Sequence, residues 1–238
     1  MVLNDRQIQA LCEGSETPMI TPYLYRQCRA HVVVDNPLQL SSQTKPVISY
    51  GQSSFGYDIR LSVDNLRVFN MYEGLPSYLY DSTGRPVQPL GRLDSPACHS
   101  PIDPKKFDHN ILLSFPALQT IDAITQADNG TFFELPPRAY ALGVSVETFH
   151  IPVNTLGICY CKSTYARCGL MVNTTPLEPG WRGQLVLELA NLTDLPMKVY
   201  ANEGIAQVVF FEGDVPSVTY ADRSGKYQDQ RGIVTARV

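Results

Sequence analysis

The chain has 238 residues, of which 44% are hydrophobic and 18% are charged. This composition can bury a core and excludes a disordered chain. A formal net charge of −4 argues against a general nucleic-acid binder, which needs a basic face. The sequence shows no apolar run approaching the roughly 18 residues of a membrane helix, and no signal peptide opens it. We therefore expect a cytoplasmic protein that binds neither nucleic acid nor membrane.

The first predicted element is a short N-terminal helix. Asn4 has the side chain of an N-cap, and Gln7 stands at the third helical position, which together predict a capping box. Leu3 and Ile8 flank this cap at the spacing of a hydrophobic staple. Gly14 is expected to end the helix.

The middle of the chain differs in composition from the second half. Residues 71–100 hold many Gly and Pro and only scattered apolar residues, which predicts an inserted loop region on the surface. Residues 116–131 are predicted as a second, smaller insertion. With these two regions set apart, the length fits a single domain over residues 1–238.

The second half of the chain predicts strands and then a polar tail. Short runs rich in β-branched and aromatic residues, separated by turn-forming residues, are typical of an antiparallel sandwich or barrel. These runs are 138–149, 155–161, 184–191, 196–200 and 205–211. Residues 220–238 are polar and contain glycines, so we expect an arm that orders on a partner or ligand.

Metal chemistry has little support in the sequence. No Cys-x-x-Cys exists, and the four histidines are not paired at helical spacing. Cys159 and Cys161 share one face of a predicted strand, where buried thiols are favoured over a shared zinc. The zinc nucleobase deaminase pattern, His-x-Glu with Pro-Cys-x-x-Cys, is also missing. We therefore predict no metal held by the protein.

One candidate anion site comes directly after the predicted strand 155–161. Residues 162–167 supply two cations, Lys162 and Arg167, and two hydroxyls within one short segment. Such a segment suits a polyphosphate. A solvated turn between a strand and a helix is the alternative interpretation, and composition alone does not separate the two.

Glu188 is the candidate general acid/base. In the run Leu185–Ala190, a strand would place Val186, Glu188 and Ala190 on one face and the three leucines on the other. A carboxylate among apolar neighbours is costly to ionise, which suits proton transfer near neutral pH. An ordinary glutamate on a wet sheet face is the alternative. Trp181, the only tryptophan, stands at a turn where it could wall a pocket or fill the core.

Five separated segments carry a family resemblance. The sequence KSTYARCGLMVNTTPLEPGWRGQLVLELAN, which begins at Lys162, resembles the signature of the dCTP deaminases, relatives of the trimeric dUTPases. The likeness extends to SYGQSSFGYDIRLS (49–62), IDPKKFD (102–108), EGIAQVVFFEGD (203–214) and DRSGKYQDQRG (222–232). It covers most of the chain outside the two predicted insertions.

The resemblance implies a fold, an assembly and a reaction. The fold would be mainly β, a distorted barrel or jelly roll of the dUTPase type with a short N-terminal helix. The assembly would be a homotrimer with active sites between subunits. The reaction would convert dCTP to dUTP and ammonia, supplying dUTP for dUMP and dTTP synthesis, with Mg²⁺ on the triphosphate and no zinc. dTTP would act as an inhibitor.

The resemblance also implies which residues form the site. The family's catalytic glutamate falls on Glu188, and Ser163 and Arg167 fall nearest the chemistry. The tail would close over the bound nucleotide. The nucleotide-binding positions are Lys162, Ser163, Thr164, Tyr165, Ala166, Arg167, Val186, Leu187, Glu188, Gln207, Tyr220, Lys226 and Gln230.

Three other functions stay open at this point. Glu178 stands where dUTPases and bifunctional relatives carry the aspartate that activates water, so a bifunctional enzyme giving dUMP is one alternative. A plain dUTPase is a second, disfavoured by Glu188 and by a tail without the dUTPase Gly-rich, Arg-containing motif. A non-catalytic nucleotide-binding or interaction protein on the same fold is the third. Lys162 also departs from the family, which often has Arg there, and loses the bidentate fork.

Overall fold

The described part of the chain is mainly β. The computed structural model describes residues 1–33, 43–64, 66–69, 79–80, 86–87, 102–121 and 128–238. Two α-helices are present there, α1 (Asp5–Glu13) and α2 (Ser163–Ala166), with a 3₁₀ turn at His109–Ile111. The strands are β1 (Ile20–Thr21), β2 (Cys28–Val33), β3 (Gln43–Ser53), β4 (Gly56–Arg60), β5 (Leu66–Phe69), β6 (Leu79–Tyr80), β7 (Pro86–Val87), β8 (Leu112–Phe115), β9 (Leu118–Ile121), β10 (Asp128–Leu135), β11 (Tyr140–His150), β12 (Thr155–Cys161), β13 (Leu170–Asn173), β14 (Arg182–Asn191), β15 (Met197–Tyr200) and β16 (Gly204–Glu212). The mainly β prediction is confirmed.

Two larger antiparallel sheets organise the chain. The first has the order β13-β14-β11-β5-β8, and β1 also pairs with β11. The second has the order β12-β16-β4-β3-β2. A smaller sheet, β15-β10-β9, and the pair β6-β7 complete the described pairings. The hydrophobic core takes side chains from both larger sheets, among them Leu187 of β14 and Phe210 of β16.

Strand β14 shows the predicted alternation of faces. Leu185, Leu187 and Leu189 are buried in the core, whereas Val186 and Glu188 are half-buried on the opposite face. Ala190, the third residue predicted on that face, is buried. Successive side chains on a strand point to opposite faces, so one half of this strand anchors the sheet. The side chains on the opposite face, Glu188 among them, point away from the core and are available to line a site on that face of the sheet.

The first turn of the N-terminal helix α1 contains the predicted capping box. The Asn4 side chain accepts from the backbone N–H of Gln7, and the Gln7 side chain accepts from the backbone N–H of Asn4. Leu3 and Ile8, the residues of the expected staple, are both buried. The helix ends at Gly14, whose N–H donates to the carbonyl of Ala10.

The two predicted insertions relate differently to the described residues. Most of 71–100 lies outside them, apart from the paired strands β6 and β7. Within 116–131, strand β9 pairs with β10, and residues 122–127 lie outside the described part. None of the helices that the structure describes is long and apolar enough to cross a bilayer.

Candidate functional site

Glu188 lies near the centre of the first sheet. It is opposite Leu142 on β11 and opposite Asn173 on β13. The position is held on its other side by the buried leucines of β14. The backbone of this carboxylate is therefore fixed by two neighbouring strands, while its side chain faces away from the core.

Two neutral side chains hold the Glu188 carboxylate. The Asn173 Nδ2 donates to Oε2 of Glu188 at 2.6 Å, and the Tyr140 hydroxyl is 3.4 Å from the same oxygen. Burial, followed by the nearby Glu188 charge and hydrogen bond, raises the pKa of Tyr140 to about 12. Tyr140 therefore keeps its proton at neutral pH and serves as a donor. No cation of the described chain forms an ion pair with Glu188.

A cavity of about 480 Å³ opens over Glu188. A volume of this size accommodates a small-molecule ligand, and an apolar wall with few polar groups is typical of such sites. Aromatic rings and aliphatic groups form most of its wall, with Glu178 and Glu188 as its carboxylates. The lining residues are Phe69, Phe107, Tyr140, Leu142, Thr175, Pro176, Leu177, Glu178, Trp181, Leu185, Val186, Glu188, Tyr220, Tyr227, Gln230, Val234, Thr235 and Ala236.

The C-terminal tail closes one side of this cavity. The Trp181 indole N–H donates to the carbonyl of Tyr227 at 2.9 Å, and the Gln230 side chain donates to the carbonyl of Gln184 at 2.8 Å. Gly183 has φ +143°, and a Cβ there would lie 2.8 Å from the carbonyl oxygen of Gln230. Glycine at this position therefore permits the close approach of the tail to β14.

Residues 162–167 lie away from the cavity within one chain. Lys162 caps α2 without a side-chain hydrogen bond to the helix, and its Nζ instead lies 2.7 Å from Oδ2 of Asp58. Tyr165 is buried and accepts a hydrogen bond from the Tyr200 N–H at 2.7 Å. Ser163, Thr164, Ala166 and Arg167 are exposed. None of these six residues is among those that line the Glu188 cavity.

The other sequence-predicted positions divide into two groups. Val186, Tyr220 and Gln230 line the Glu188 cavity. The Leu187 side chain is in the core, and the Gln207 side chain donates to Ser53 Oγ at 2.9 Å. Lys226 Nζ donates to the carbonyl of Arg237 at 3.3 Å. A single chain therefore forms the part of the expected site that contains Glu188, Val186, Tyr220 and Gln230.

Sequence reasoning missed several of the residues that hold and surround Glu188. Asn173 is at the end of β13, and its role follows from the register of β13 against β14. Phe69 and Phe107 stack edge-on with centroids 6.1 Å apart at the cavity wall. Such long-range pairings leave no local pattern in a single sequence.

The arrangement combines an apolar, aromatic-lined cavity with one carboxylate held by neutral donors. Such a cavity suits a flat heterocycle, and the carboxylate can exchange a proton with it. In the described residues no group of three or more His, Cys, Asp or Glu side chains lies close enough to hold a metal ion.

The family model and the curated relatives that this chain resembles carry the description dCTP deaminase or dCTP deaminase-like. A family model described as dCTP deaminase-like matches residues 95–213. A protein named dCTP deaminase from Campylobacter concisus (strain 13826) is 42% identical over 193 residues, which cover 81% of this chain and 83% of that protein. Another of the same name, from Burkholderia cenocepacia (strain HI2424), is 38% identical over 233 residues, 98% of this chain and 96% of its own.

Two solved structures are also similar. The 2′-deoxycytidine 5′-triphosphate deaminase from Agrobacterium tumefaciens aligns with a TM-score of 0.45 and 16% identity, covering 89% of this chain and 48% of its own. The native EIAV dUTPase aligns with a TM-score of 0.33 and 20% identity, covering 36% of this chain and 72% of its own.

Proposed function

The chain belongs to the dCTP deaminase family, and from this membership we propose that it hydrolyses dCTP to dUTP and ammonia in the cavity lined by Glu188. The observation that carries the proposal is the Glu188 carboxylate, which is exposed to an aromatic-lined cavity and held by Asn173 and Tyr140. A cytosine ring is flat and carries donors and acceptors on one edge. It fits a pocket whose walls are apolar and whose polar groups converge on one side.

The proposed chemistry needs one group that carries protons in both directions. Water adds its oxygen to C4 of cytosine, and its proton passes through Glu188 to N3. A second proton then passes from the new C4 hydroxyl through Glu188 to the exocyclic amine. The C4–N bond breaks, ammonia leaves, and a carbonyl remains at C4. A positioned carboxylate suits this shuttle, and rigid holding of water and base lowers the barrier further.

The assembly is part of the proposal. Ser163, Thr164, Ala166 and Arg167 are exposed, and none of them lines the Glu188 cavity of the same chain. We propose a homotrimer in which this segment of one subunit faces the Glu188 cavity of its neighbour. Ser163 would then help to hold the water, and Arg167 would orient Glu188 and stabilise developing charge.

The substrate would enter as the Mg²⁺ complex of dCTP, because Mg²⁺ binds triphosphates while keeping several waters. Lys226 supplies positive charge for the phosphates, because the Nζ of Lys162 is already paired with Asp58, and Tyr220 and Gln230 contact the nucleotide from the tail. dUTP is the product that leaves for dUMP and dTTP synthesis, and dTTP acts as an inhibitor.

Replacing Glu188 with Gln tests the reaction. We expect Glu188→Gln to lower ammonia release from dCTP by about a thousandfold or more, because removal of a general acid/base loses a factor of this order. Binding of dCTP, followed by calorimetry, should persist, and the thermal midpoint should stay close to that of the unaltered protein. Retained turnover in this variant would exclude the proposed role of Glu188.

Mixing two inactive variants tests the shared site. Glu188→Gln and Arg167→Ala would each be inactive alone, but a trimer containing both has sites that combine an intact Glu188 with an intact Arg167. We expect activity to return when the two are unfolded together and refolded as a mixture. An inactive mixture of trimers would show that each chain supplies both residues to its own site.

Glu178 supports a second candidate, a bifunctional enzyme that gives dUMP. This carboxylate lines the same cavity as Glu188, but it also forms an ion pair with Arg223. The Arg223 guanidinium occupies a carboxylate oxygen that would otherwise bind the attacking water, so we favour deamination alone. Chromatography of the products decides, since dUTP with ammonia indicates deamination and dUMP with pyrophosphate indicates both activities.

A further inference from the structure

A second cavity lies beside the Glu188 cavity and has a different chemical character. It measures about 640 Å³, and its lining contains no carboxylate side chain. The two cavities share the tail residues Val234, Thr235 and Ala236. The lining residues are Arg67, His109, Leu112, Arg231, Ile233, Val234, Thr235, Ala236 and Arg237.

The register of the sheet fixes the distance between Arg67, which lines the second cavity, and Glu188, which lines the first. Leu142 of β11 is opposite Glu188 on one side and opposite Arg67 of β5 on the other. Residues paired in this way share a sheet face, and neighbouring strands are about 4.8 Å apart. The backbone at Arg67 is therefore about 10 Å from the backbone at Glu188 along one row of the sheet.

The positive charge in this cavity has little compensation from the protein. Arg67 and Arg231 are exposed, and no carboxylate of the described chain forms an ion pair with either. The Arg237 guanidinium donates to a main-chain carbonyl, that of Lys226, at 3.3 Å. Guanidinium groups that converge on one cavity repel each other, and an anion between them would remove that cost. The convergence is notable in a chain whose net charge is −4.

The tail forms one wall of this cavity and is tied to the opposite wall. Thr235 Oγ1 and His109 Nδ1 are 3.2 Å apart, which joins the tail to the 3₁₀ turn before β8. Arg231 and Arg237 flank this contact on the tail, whereas Arg67 lies on the sheet. An anion bound here would contact both walls at once.

We propose that this cavity binds a phosphate or polyphosphate group. Guanidinium groups match phosphate oxygens with two parallel hydrogen bonds, which makes phosphate the anion that best fits several arginines. This site is separate from the phosphate contacts expected at Lys162–Arg167 and at Lys226. The occupant would therefore be a free phosphate or polyphosphate bound beside the nucleotide, and not the triphosphate of the substrate. Binding is measured without turnover, so a failure here is distinguishable from a failure of the proposed deamination.

Pyrophosphate is the probe for the test. Its binding is followed by calorimetry and by the fluorescence of Trp181, which reports on the tail through its hydrogen bond to Tyr227. Arg67→Gln and Arg231→Gln should each weaken binding about tenfold or more, as expected for loss of a hydrogen bond to a charged group. Arg67→Lys should weaken it less, because the charge remains. Arg6→Gln, which removes an exposed arginine of α1, is the matched control and should bind normally.

Competition with the substrate tests whether the two phosphate sites are separate. In the Glu188→Gln background, pyrophosphate is titrated with saturating deoxycytidine and, separately, with saturating dCTP. Simultaneous binding of pyrophosphate and dCTP supports a separate site, whereas displacement of pyrophosphate by dCTP would contradict it. The proposal is wrong if pyrophosphate shows no saturable binding, or if Arg67→Gln and Arg231→Gln bind it as tightly as Arg6→Gln. Circular dichroism of each variant verifies that the fold is retained.

Discussion

Two glutamates on neighbouring strands of one sheet have opposite environments. Glu147 of β11 is fully buried, and Arg60 of β4 donates to it both from its backbone N–H at 2.9 Å and from Nε at 2.7 Å. Glu188 of β14 is half-buried above a cavity and has only neutral donors. A carboxylate held by a buried cation contributes mainly to structure, whereas one held by neutral groups beside a cavity can exchange protons with a ligand.

The bulge in β11 explains how Glu147 enters the interior. The register between β11 and β14 shifts between Val144 and Thr148, and Glu147 lies inside this shift. A bulge adds a residue to one strand and re-aims the neighbouring side chains. Ser145 stabilises the irregular segment, because its hydroxyl donates to the carbonyl of Glu147 at 2.6 Å. β11 thus contributes Leu142 to the cavity and Glu147 to the interior.

The largest expected effect comes from removing the buried partner. Glu147→Ala leaves the Arg60 guanidinium in the interior without its carboxylate, and we expect the free energy of unfolding to fall by about 3–5 kcal/mol. Glu188→Ala is the matched variant on the other side of the comparison, and it should lose about 1 kcal/mol or less, because it removes only an exchangeable acceptor. Urea denaturation measures both. Equal losses would show that the two carboxylates do not differ in structural role.

Asn173 allows a test on the Glu188 side of the comparison. Asn173→Ala removes the 2.6 Å donor to Glu188, so the carboxylate would be less well oriented. We expect kcat for dCTP to fall about tenfold or more, with KM changed little, because the lost contact acts on the reacting group rather than on the rest of the nucleotide.

Asn154 supplies the control for that experiment. Its Nδ2 donates to Glu212 at 3.2 Å, so Asn154→Ala also removes an amide donor to a glutamate, but outside the cavity. This variant should keep both kcat and KM. A similar loss of activity in both variants would mean that Asn173 acts through general stability.

The sequence predicts the parts of this molecule that depend on local pattern. The capping pair Asn4 and Gln7 and the alternation of β14 around Glu188 follow from residue spacing, and both are visible in the structure. The pairing of Asn173 with Glu188 depends on which strands become neighbours, which a local pattern does not encode. The bulge that turns Glu147 inward is likewise a tertiary feature. Strands are therefore predictable here, whereas the partners of each carboxylate are not.

The pH dependence of stability tests the Glu147 environment directly. Burial raises the pKa of Glu147 above its ordinary value of 4.5, and the Arg60 contacts offset part of that rise. A raised pKa means that the folded protein binds this proton more tightly than the unfolded chain. The stability from this group is thus complete below about pH 4.5 and is lost as the pH rises through the raised pKa.

Glu147→Gln should remove this dependence, because it replaces the titrating carboxyl with an amide. The difference in unfolding free energy between the unaltered protein and this variant should therefore become less favourable to the unaltered protein as the pH rises above the ordinary pKa of 4.5. Glu134→Gln, at an exposed glutamate of β10, is the control and should give a smaller change. A difference that stays constant with pH would contradict the burial argument.

The smallest expected effect concerns the exposed ion pair between Arg223 and Glu178. Both side chains are about half exposed, and the tail is held nearby by the Trp181 indole, by Gln230 and by backbone contacts. Exposed pairs contribute about 0–1 kcal/mol, so Arg223→Gln should leave the unfolding free energy nearly unchanged. The fluorescence of Trp181 should also stay the same, because its contact to the tail is independent of this pair. A change in that fluorescence on Arg223→Gln would show that the exposed ion pair holds the tail in place. The contrast between buried and exposed carboxylates would then not extend to this end of the cavity.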